Sequence, residues 1–236
     1  MTEALHSALL LAAGSGQRMG GAVADKMLVP LKGDAVIAHS VRTFQESGCV
    51  RQICLLYRDL EQRAALEKTL DHVLTSALPI LWVQGGASRQ DSVHRGLEAI
   101  ASSGGLAFIH DGARPCITAA QIQQLAQIAG RDGAACLARP LTDTVKRLAD
   151  PNQLHSIELE DLDRERLWAM ETPQVFPTAE ILETYPHVVE AGLCVTDDVA
   201  AAATIGIRVT LVPNERPNPK ITHSADLNYL EWLFSQ

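Results

Sequence analysis

The stretch that decides the reading of this chain is Ala8-Leu9-Leu10-Leu11-Ala12-Ala13-Gly14-Ser15-Gly16-Gln17-Arg18-Met19-Gly20, with Lys26 shortly after it. Its apolar run is short and ends in glycine, which predicts a buried strand rather than a helix. The small residues that follow let a ligand approach the backbone closely. Exposed N–H groups in such a turn bind phosphate oxygens or a base edge. Arg18 and Lys26 add two positive charges where an anion would sit. The stretch therefore reads as a nucleoside-triphosphate loop at the end of a first strand. It is neither of the two better-known glycine loops. No G-x-x-x-x-G-K-[ST] string occurs, and Met19 stands where the dinucleotide fingerprint needs its third glycine. A dehydrogenase reading is thereby disfavoured.

Outward from this loop, strand-like and helix-like segments alternate. Ala35–Glu46 has helical spacing and stops at Gly48. A strand over 51–57, a helix over 61–70 and a strand over 80–84 follow. A second glycine turn, Gly85–Ser92, feeds a helix to about Ala101. A strand over 106–109 is broken by His110-Asp111-Gly112-Ala113-Arg114-Pro115, then Thr118 caps a helix to Ala129. Ala134–Ala138 makes a fifth strand. This alternation predicts an α/β fold, a mostly parallel sheet with helices on both faces.

The rhythm breaks at Thr142–Ala149 and Leu154–Glu160, two polar strands around the turn Asp150-Pro151-Asn152. A polar hairpin without a core face needs another surface to lie on, so it reads as an inserted arm at about 140–166. The chain returns to the apolar body at 167–176. Helices are expected over 178–185 and 197–205, a last strand over 208–212, and a closing helix over 224–234 capped by Ser224.

Composition narrows the partners. The chain has 236 residues, 47% hydrophobic and 20% charged, enough for one self-sufficient core. A net charge of −8 argues against non-specific nucleic-acid binding. An anionic substrate must then be drawn by a local basic site. Five dispersed cysteines form no C-x-x-C pair and read as reduced thiols of a cytoplasmic protein. No signal peptide and no membrane-length apolar run are expected.

In open α/β sheets, ligands bind beyond the carboxyl ends of the strands. Gly14–Lys26, Gly85–Ser92, His110–Arg114 and Asn218–Thr222 all follow strands, so they are expected to share one crevice. Jointly these motifs resemble those of the 2-C-methyl-D-erythritol 4-phosphate cytidylyltransferases of the non-mevalonate isoprenoid pathway. The first loop alone also resembles molybdopterin nucleotidyltransferases. The decisive motifs are Gly85-Gly86 with Arg89 and Asp91-Ser92, His110 to Pro115, Asp143-Thr144-Val145-Lys146, Thr172-Pro173-Gln174-Val175-Phe176, Thr196-Asp197-Asp198, and Asn218-Pro219-Lys220-Ile221-Thr222. They occur in the family's order over nearly the whole chain.

The resemblance implies a Rossmann-like single nucleotidyltransferase domain over 1–236, a homodimer with exchanged arms, and transfer of CMP from CTP to 2-C-methyl-D-erythritol 4-phosphate with release of pyrophosphate. Arg18, Lys26, Arg164 and Lys220 form the implied catalytic set. Ala12, Ala13, Gly14, Gly16, Gly86, Ser92, Asp111 and Gly112 are the implied nucleotide contacts. Arg114, Thr144, Thr172 and Thr196 are the implied acceptor contacts, with Thr144 and Arg164 serving the neighbouring subunit. Mg²⁺ is the expected cofactor and Asp111 its best single ligand. His110 reads as structural, and Asp198 as a helix-start acid. No cyclase domain is expected after Gln236.

The chain departs from the family pattern at Asp25 and Met27, where proline and glutamine are usual, at Ala87, often acidic, and at Gly112, usually alanine. Asp25 is expected to weaken the pull of Lys26 on phosphate. The nearest alternative is a cytidylyltransferase for a pentitol phosphate such as ribitol 5-phosphate. A nucleotide-binding regulator that lost catalysis is a second, against which the joint presence of Arg18, Lys26 and Lys220 speaks.

Overall fold

A computed structural model of the chain describes residues 6–14, 25–75 and 78–236. The central sheet has seven strands: β1 (Ser7–Leu11), β4 (Gln52–Tyr57), β5 (Ile80–Gln84), β6 (Leu106–Asp111), β7 (Ala135–Pro140), β10 (Trp168–Pro177) and β11 (Thr210–Pro213). Their spatial order is β11-β7-β10-β6-β1-β4-β5. All neighbouring pairs are parallel except those of β10, which runs antiparallel to both β6 and β7. The reason is connectivity. β7 leaves the sheet, the chain makes the arm, and β10 comes straight back beside it, with Trp168 opposite Pro140. A return without a crossover helix must be antiparallel.

Side-chain alternation along the strands divides the core into two layers. Ala8, Leu10, Ile53, Leu55 and Phe108 face one layer, with α1 (Val36–Ser47), α2 (Leu60–Leu70), α4 (Ala119–Asp132) and α7 (Ala225–Leu233). Leu9, Cys54, Leu56, Ala107 and Ile109 face the other, with α3 (Arg89–Ile100), α5 (Thr178–Glu190) and α6 (Asp198–Ala203). Helices therefore cover both faces, as the alternation requires. Gly48 closes α1 in the left-handed region at φ 66°. Reciprocal capping boxes start α3 (Ser88 with Asp91) and α4 (Thr118 with Gln121).

Several boundaries differ from expectation. Ser224 makes no side-chain cap. Instead the Asp226 carboxylate accepts from the Thr222 and His223 N–H groups at 2.6 and 2.8 Å. Helix α5 continues to Glu190 through Pro186, and α6 is shorter than 197–205. Strand β6 does not break at His110 but runs on through Asp111, registered opposite Leu11. Two short strands, β2 (Pro30–Leu31) and β3 (Asp34–Ala35), form an unanticipated hairpin around Lys32 and Gly33, at φ 50° and 92°.

The arm has a much shorter ladder than expected, β8 (Lys146–Leu148) against β9 (Leu159–Asp161). Cross-strand ion pairs at 2.5 Å (Lys146–Asp161) and 3.0 Å (Arg147–Glu160) hold it. Leu154 and Leu159 on it are 69% and 52% exposed, so the arm has no core within its own chain.

Candidate active site

A cleft of about 680 Å³ opens at the carboxyl ends of β1, β4, β5 and β6. Ala13 and Gly14 line it just after β1, Gly86 from the turn between β5 and α3, Ser92 from the first turn of α3, Asp111 from the end of β6, and Lys220 from beyond β11. Lys26 reaches it from the first loop, its Nζ donating to the Ile221 carbonyl at 3.0 Å. The four motif clusters thus converge on one crevice. Gly16 and Arg18 lie outside the described residues.

The backbone is packed closely here. A Cβ on Gly86 would fall 2.2 Å from Asp91 Cβ, and one on Gly85 would fall 2.7 Å from Ala13 Cβ and 2.8 Å from Ser92 Oγ. Both positions therefore exclude any larger residue unless the turn moves. Ser92 Oγ accepts from the Gly86 N–H at 3.0 Å and donates to the Ser88 carbonyl at 2.8 Å, which fixes the turn against α3. Ala12 lies buried behind the cleft, and its carbonyl accepts from the Gln62 amide at 3.0 Å. Gly112 is also behind the cleft surface, and its N–H donates to the Leu11 carbonyl at 3.1 Å. A Cβ on Gly112 would lie 2.6 Å from Ile37 Cδ1 and 3.2 Å from Met27 Sδ. Two of the departures from the family pattern, Met27 and Gly112, therefore meet: the missing methyl leaves room chiefly for the Ile37 side chain and, beside it, for the thioether.

Asp111 is the charge centre. Its carboxylate sits 2.8 Å from Lys220 Nζ and 3.6 Å from both Arg89 Nε and Arg114 Nε. Burial alone would raise its pKa. Lys220 and then Arg89 and Arg114 outweigh it, so the carboxyl is held well below its usual range. By linkage, Asp111 contributes stability above the unfolded carboxylate range and loses it only as pH falls toward the lower folded value.

Arg89 is in turn held by Asp198, at 3.0 and 2.7 Å from its two Nη atoms. Asp198 is fully buried and also accepts from Tyr185 Oη at 2.5 Å. It is thus more than a helix-start acid: the helix is capped by Asp197, whose Oδ1 accepts from the Ala200 N–H. Arg58 also lines the cleft and belongs to none of the motifs, whereas Arg89 belongs to the second motif without an implied role. Their position directly after β5's turn and after β4 was the available signal.

His110 is completely buried. Its Nε2 faces the Arg114 carbonyl and its Nδ1 the Thr172 hydroxyl, both at 3.1 Å. A carbonyl only accepts, so Nε2 carries the proton and Nδ1 accepts from Thr172 Oγ1, which itself accepts from the Asp111 N–H. The buried Thr172 hydroxyl thus braces Asp111 from behind. Burial, against the opposing pull of Asp111, lowers the His110 pKa to about 4. The unfolded imidazole takes up its proton near the ordinary 6.5, so stability should decline as pH falls from about 6.5 to about 4. The full effect is on the order of 3 kcal/mol. Denaturant unfolding of the wild type and His110→Gln should show their stability difference shrinking by that amount between pH 7 and pH 4. A pH-independent difference would contradict this account.

Arg114 lines an adjoining cleft of about 510 Å³ that shares Lys220 with the first. Its Nη1 donates to the Asn218 carbonyl at 2.6 Å. Thr144, Arg164 and Thr196 line neither cleft. Arg164 sits at the base of the arm, its Nη1 donating to the Thr142 carbonyl at 2.8 Å. No group of three or more His, Cys, Asp or Glu side chains able to hold a metal occurs among the described residues. Among those residues, Asp111 is the only carboxylate lining the first cleft.

Comparison with known proteins agrees with this geometry. Residues 6–236 match the family model described as 2-C-methyl-D-erythritol 4-phosphate cytidylyltransferase. Proteins of that name from Shouchella clausii strain KSM-K16 and Symbiobacterium thermophilum are 36% and 34% identical. Each alignment covers 98% of this chain, with 97% and 93% of the respective relative. The crystal structure of 4-diphosphocytidyl-2C-methyl-D-erythritol synthase from Anaerococcus prevotii DSM 20548 superposes with a TM-score of 0.83 at 23% identity, over 98% of this chain and 96% of that one. That of the cytidylyltransferase from Thermus thermophilus gives 0.76 at 26% identity, over 98% of both chains. A cleft built from all four motif clusters, on a sheet of this topology and with relatives aligned over nearly their full length, establishes that the chain belongs to the 2-C-methyl-D-erythritol 4-phosphate cytidylyltransferase family.

Proposed function

We propose that this protein transfers CMP from CTP to 2-C-methyl-D-erythritol 4-phosphate, giving the CDP-linked alcohol and pyrophosphate. The observation that carries the reading is the cation cluster, Lys26, Lys220, Arg89 and Arg114, placed beside a backbone-lined pocket at the carboxyl ends of the strands. The base and ribose lie against Ala13, Gly14, Gly86 and Ser92, and the triphosphate runs toward Lys26 and Lys220. The acceptor occupies the adjoining cleft at Arg114, where Asn218 Oδ1 and Arg114 Nε are buried without hydrogen-bond partners. Lys220, common to both clefts, then stands between the two substrates.

The chemistry suits such a site. A phosphate monoester has a second pKa of about 6, so the acceptor is largely dianionic at pH 7 and needs no general base. One of its oxygens attacks the α-phosphorus, the bond from that phosphorus to the bridging oxygen breaks, and pyrophosphate leaves with the electron pair. The obstacle is anion meeting anion. Fixed cations cancel the repulsion and receive the charge that develops on the leaving group. Asp111 spaces and orients Lys220, Arg89 and Arg114 rather than accepting a proton. Asp111, the one carboxylate among the described residues lining this cleft, would be the protein ligand of a Mg²⁺ held mainly by substrate phosphates, and the ion would supply neutralisation of the triphosphate charge.

The exposed, coreless arm supports a two-fold dimer in which Thr144 and Arg164 reach the partner's acceptor cleft. No described helix is long and apolar enough to cross a membrane. The reading of the five cysteines as reduced thiols supports a cytoplasmic enzyme. A panel of CTP, ATP, GTP and UTP with methylerythritol phosphate tests the nucleotide assignment. CTP should be strongly preferred, and chelation of Mg²⁺ should abolish turnover. Equal rates with all four nucleotides would overturn the assignment of the base pocket.

A further inference from the structure

Asp25 is the residue that the sequence made look unfavourable, a negative charge next to the lysine that should hold phosphate. The structure gives its carboxylate another task. The group is buried, and each oxygen has a definite partner. Oδ1 accepts from the Met27 N–H at 2.9 Å, and Oδ2 accepts from the Gln62 amide at 2.5 Å. Arg58 Nη1 lies 3.6 Å from the same Oδ2 and offsets its charge. Gln62 is 2% exposed and fully used. Its Nε2 also donates to the Ala12 carbonyl at 3.0 Å, and its Oε1 accepts from the Arg58 N–H at 2.6 Å. The Asp25 carbonyl accepts from the Leu28 N–H at 3.2 Å, and the Met27 carbonyl from the Ile37 N–H at 3.1 Å. Lys26 is the residue inside that turn.

We propose that Asp25, Gln62 and Arg58 form a latch that positions Lys26, tying its backbone to the end of β1 and the start of α2 while its ammonium rests on the Ile221 carbonyl. Asp25 and Gln62 are positioning residues: neither lines the cleft, and both act through the lysine. The latch uses hydrogen bonds where the family pattern has the fixed backbone of a proline. It matters because a displacement of about 1 Å at a reacting centre costs up to ~10²-fold in rate. The inference rests on the reading of Lys26 as a phosphate-facing cation.

The test is a mutant cycle of Asp25→Ala, Gln62→Met and Lys26→Ala, scored by kcat, KM for CTP, and amide exchange. Asp25→Ala and Gln62→Met should each lower kcat ~10-fold with little change in KM, and the pair together should lower it by about the same factor, because they break one device. On the Lys26→Ala background, Asp25→Ala should cost less than about twofold. A general loss of fold would instead multiply through that background, since it does not act through the ammonium. Asp25→Ala turning over as fast as the wild type, or faster as simple charge opposition predicts, would overturn the latch. So would a full multiplicative loss. Should Gln62→Met fail to fold, the Asp25–Lys26 cycle decides alone. Should the wild type show no CTP turnover, the functional reading fails and exchange judges the latch. The Met27 amide of Asp25→Ala should then exchange at least ~10-fold faster with β1 and β6 unchanged, and unaltered protection at Met27 would refute it.

Discussion

Lys26→Ala is expected to lower kcat by ~10²–10³-fold while leaving the dissociation constant for CTP within about threefold. Lys26 is buried at the cleft, and its Nζ is fixed on the Ile221 carbonyl, one residue from Lys220. A charge held in place costs no reorganisation when the α-phosphorus is attacked. Two unit charges about 4 Å apart interact by roughly 4 kcal/mol at an effective dielectric of 20. The part of this that grows as charge moves onto the leaving pyrophosphate appears in kcat. The part already present in the bound triphosphate appears in affinity. Steady-state kinetics with an independent measurement of CTP binding separate the two. A variant with kcat within a factor of a few of the wild type would remove Lys26 from the catalytic set.

Arg164→Ala should disable both sites of a dimer, although Arg164 lines neither cleft of its own chain. The ladder of the arm that carries it is exposed and braced by its own ion pairs. If the arm serves the partner, two inactive proteins should repair each other. In a mixed dimer of Arg164→Ala and Lys26→Ala subunits, the Arg164→Ala subunit keeps its Lys26 and receives an intact arm. That site is native, and the other carries both defects. Random pairing makes half the dimers mixed, so about a quarter of wild-type activity should return on co-refolding. No recovery despite verified subunit exchange would place Arg164 in its own subunit's site.

Much of this was legible in the sequence because it follows from short-range chemistry. The run Ala8–Leu11 ending at glycine, the stop at Gly48 and the cap at Thr118 each emerge where local rules put them. The direction of β10 was not legible. It depends on the arm's two ends leaving and rejoining the sheet side by side, a long-range fact that no window of sequence contains. The same distinction holds in the site. Residues in glycine turns after strands announced themselves, and the structure brings Gly14, Gly86, Asp111 and Lys220 into one cleft. The partnership of Arg89 with Asp198, 109 positions apart, did not, because an ion pair across the fold leaves no local pattern. Asp25 misled for the same reason. Its neighbour in sequence is Lys26, but its carboxylate is held by Gln62, 37 positions away.

The decisive measurement is pyrophosphate release from CTP, with 2-C-methyl-D-erythritol 4-phosphate and with ribitol 5-phosphate as alternative acceptors. Methylerythritol phosphate should give stoichiometric pyrophosphate and CDP-linked alcohol, and the pentitol phosphate much slower turnover. Turnover with ribitol 5-phosphate alone would contradict the acceptor assignment, and no turnover with either would contradict the reading of this cleft as a cytidylyltransferase site.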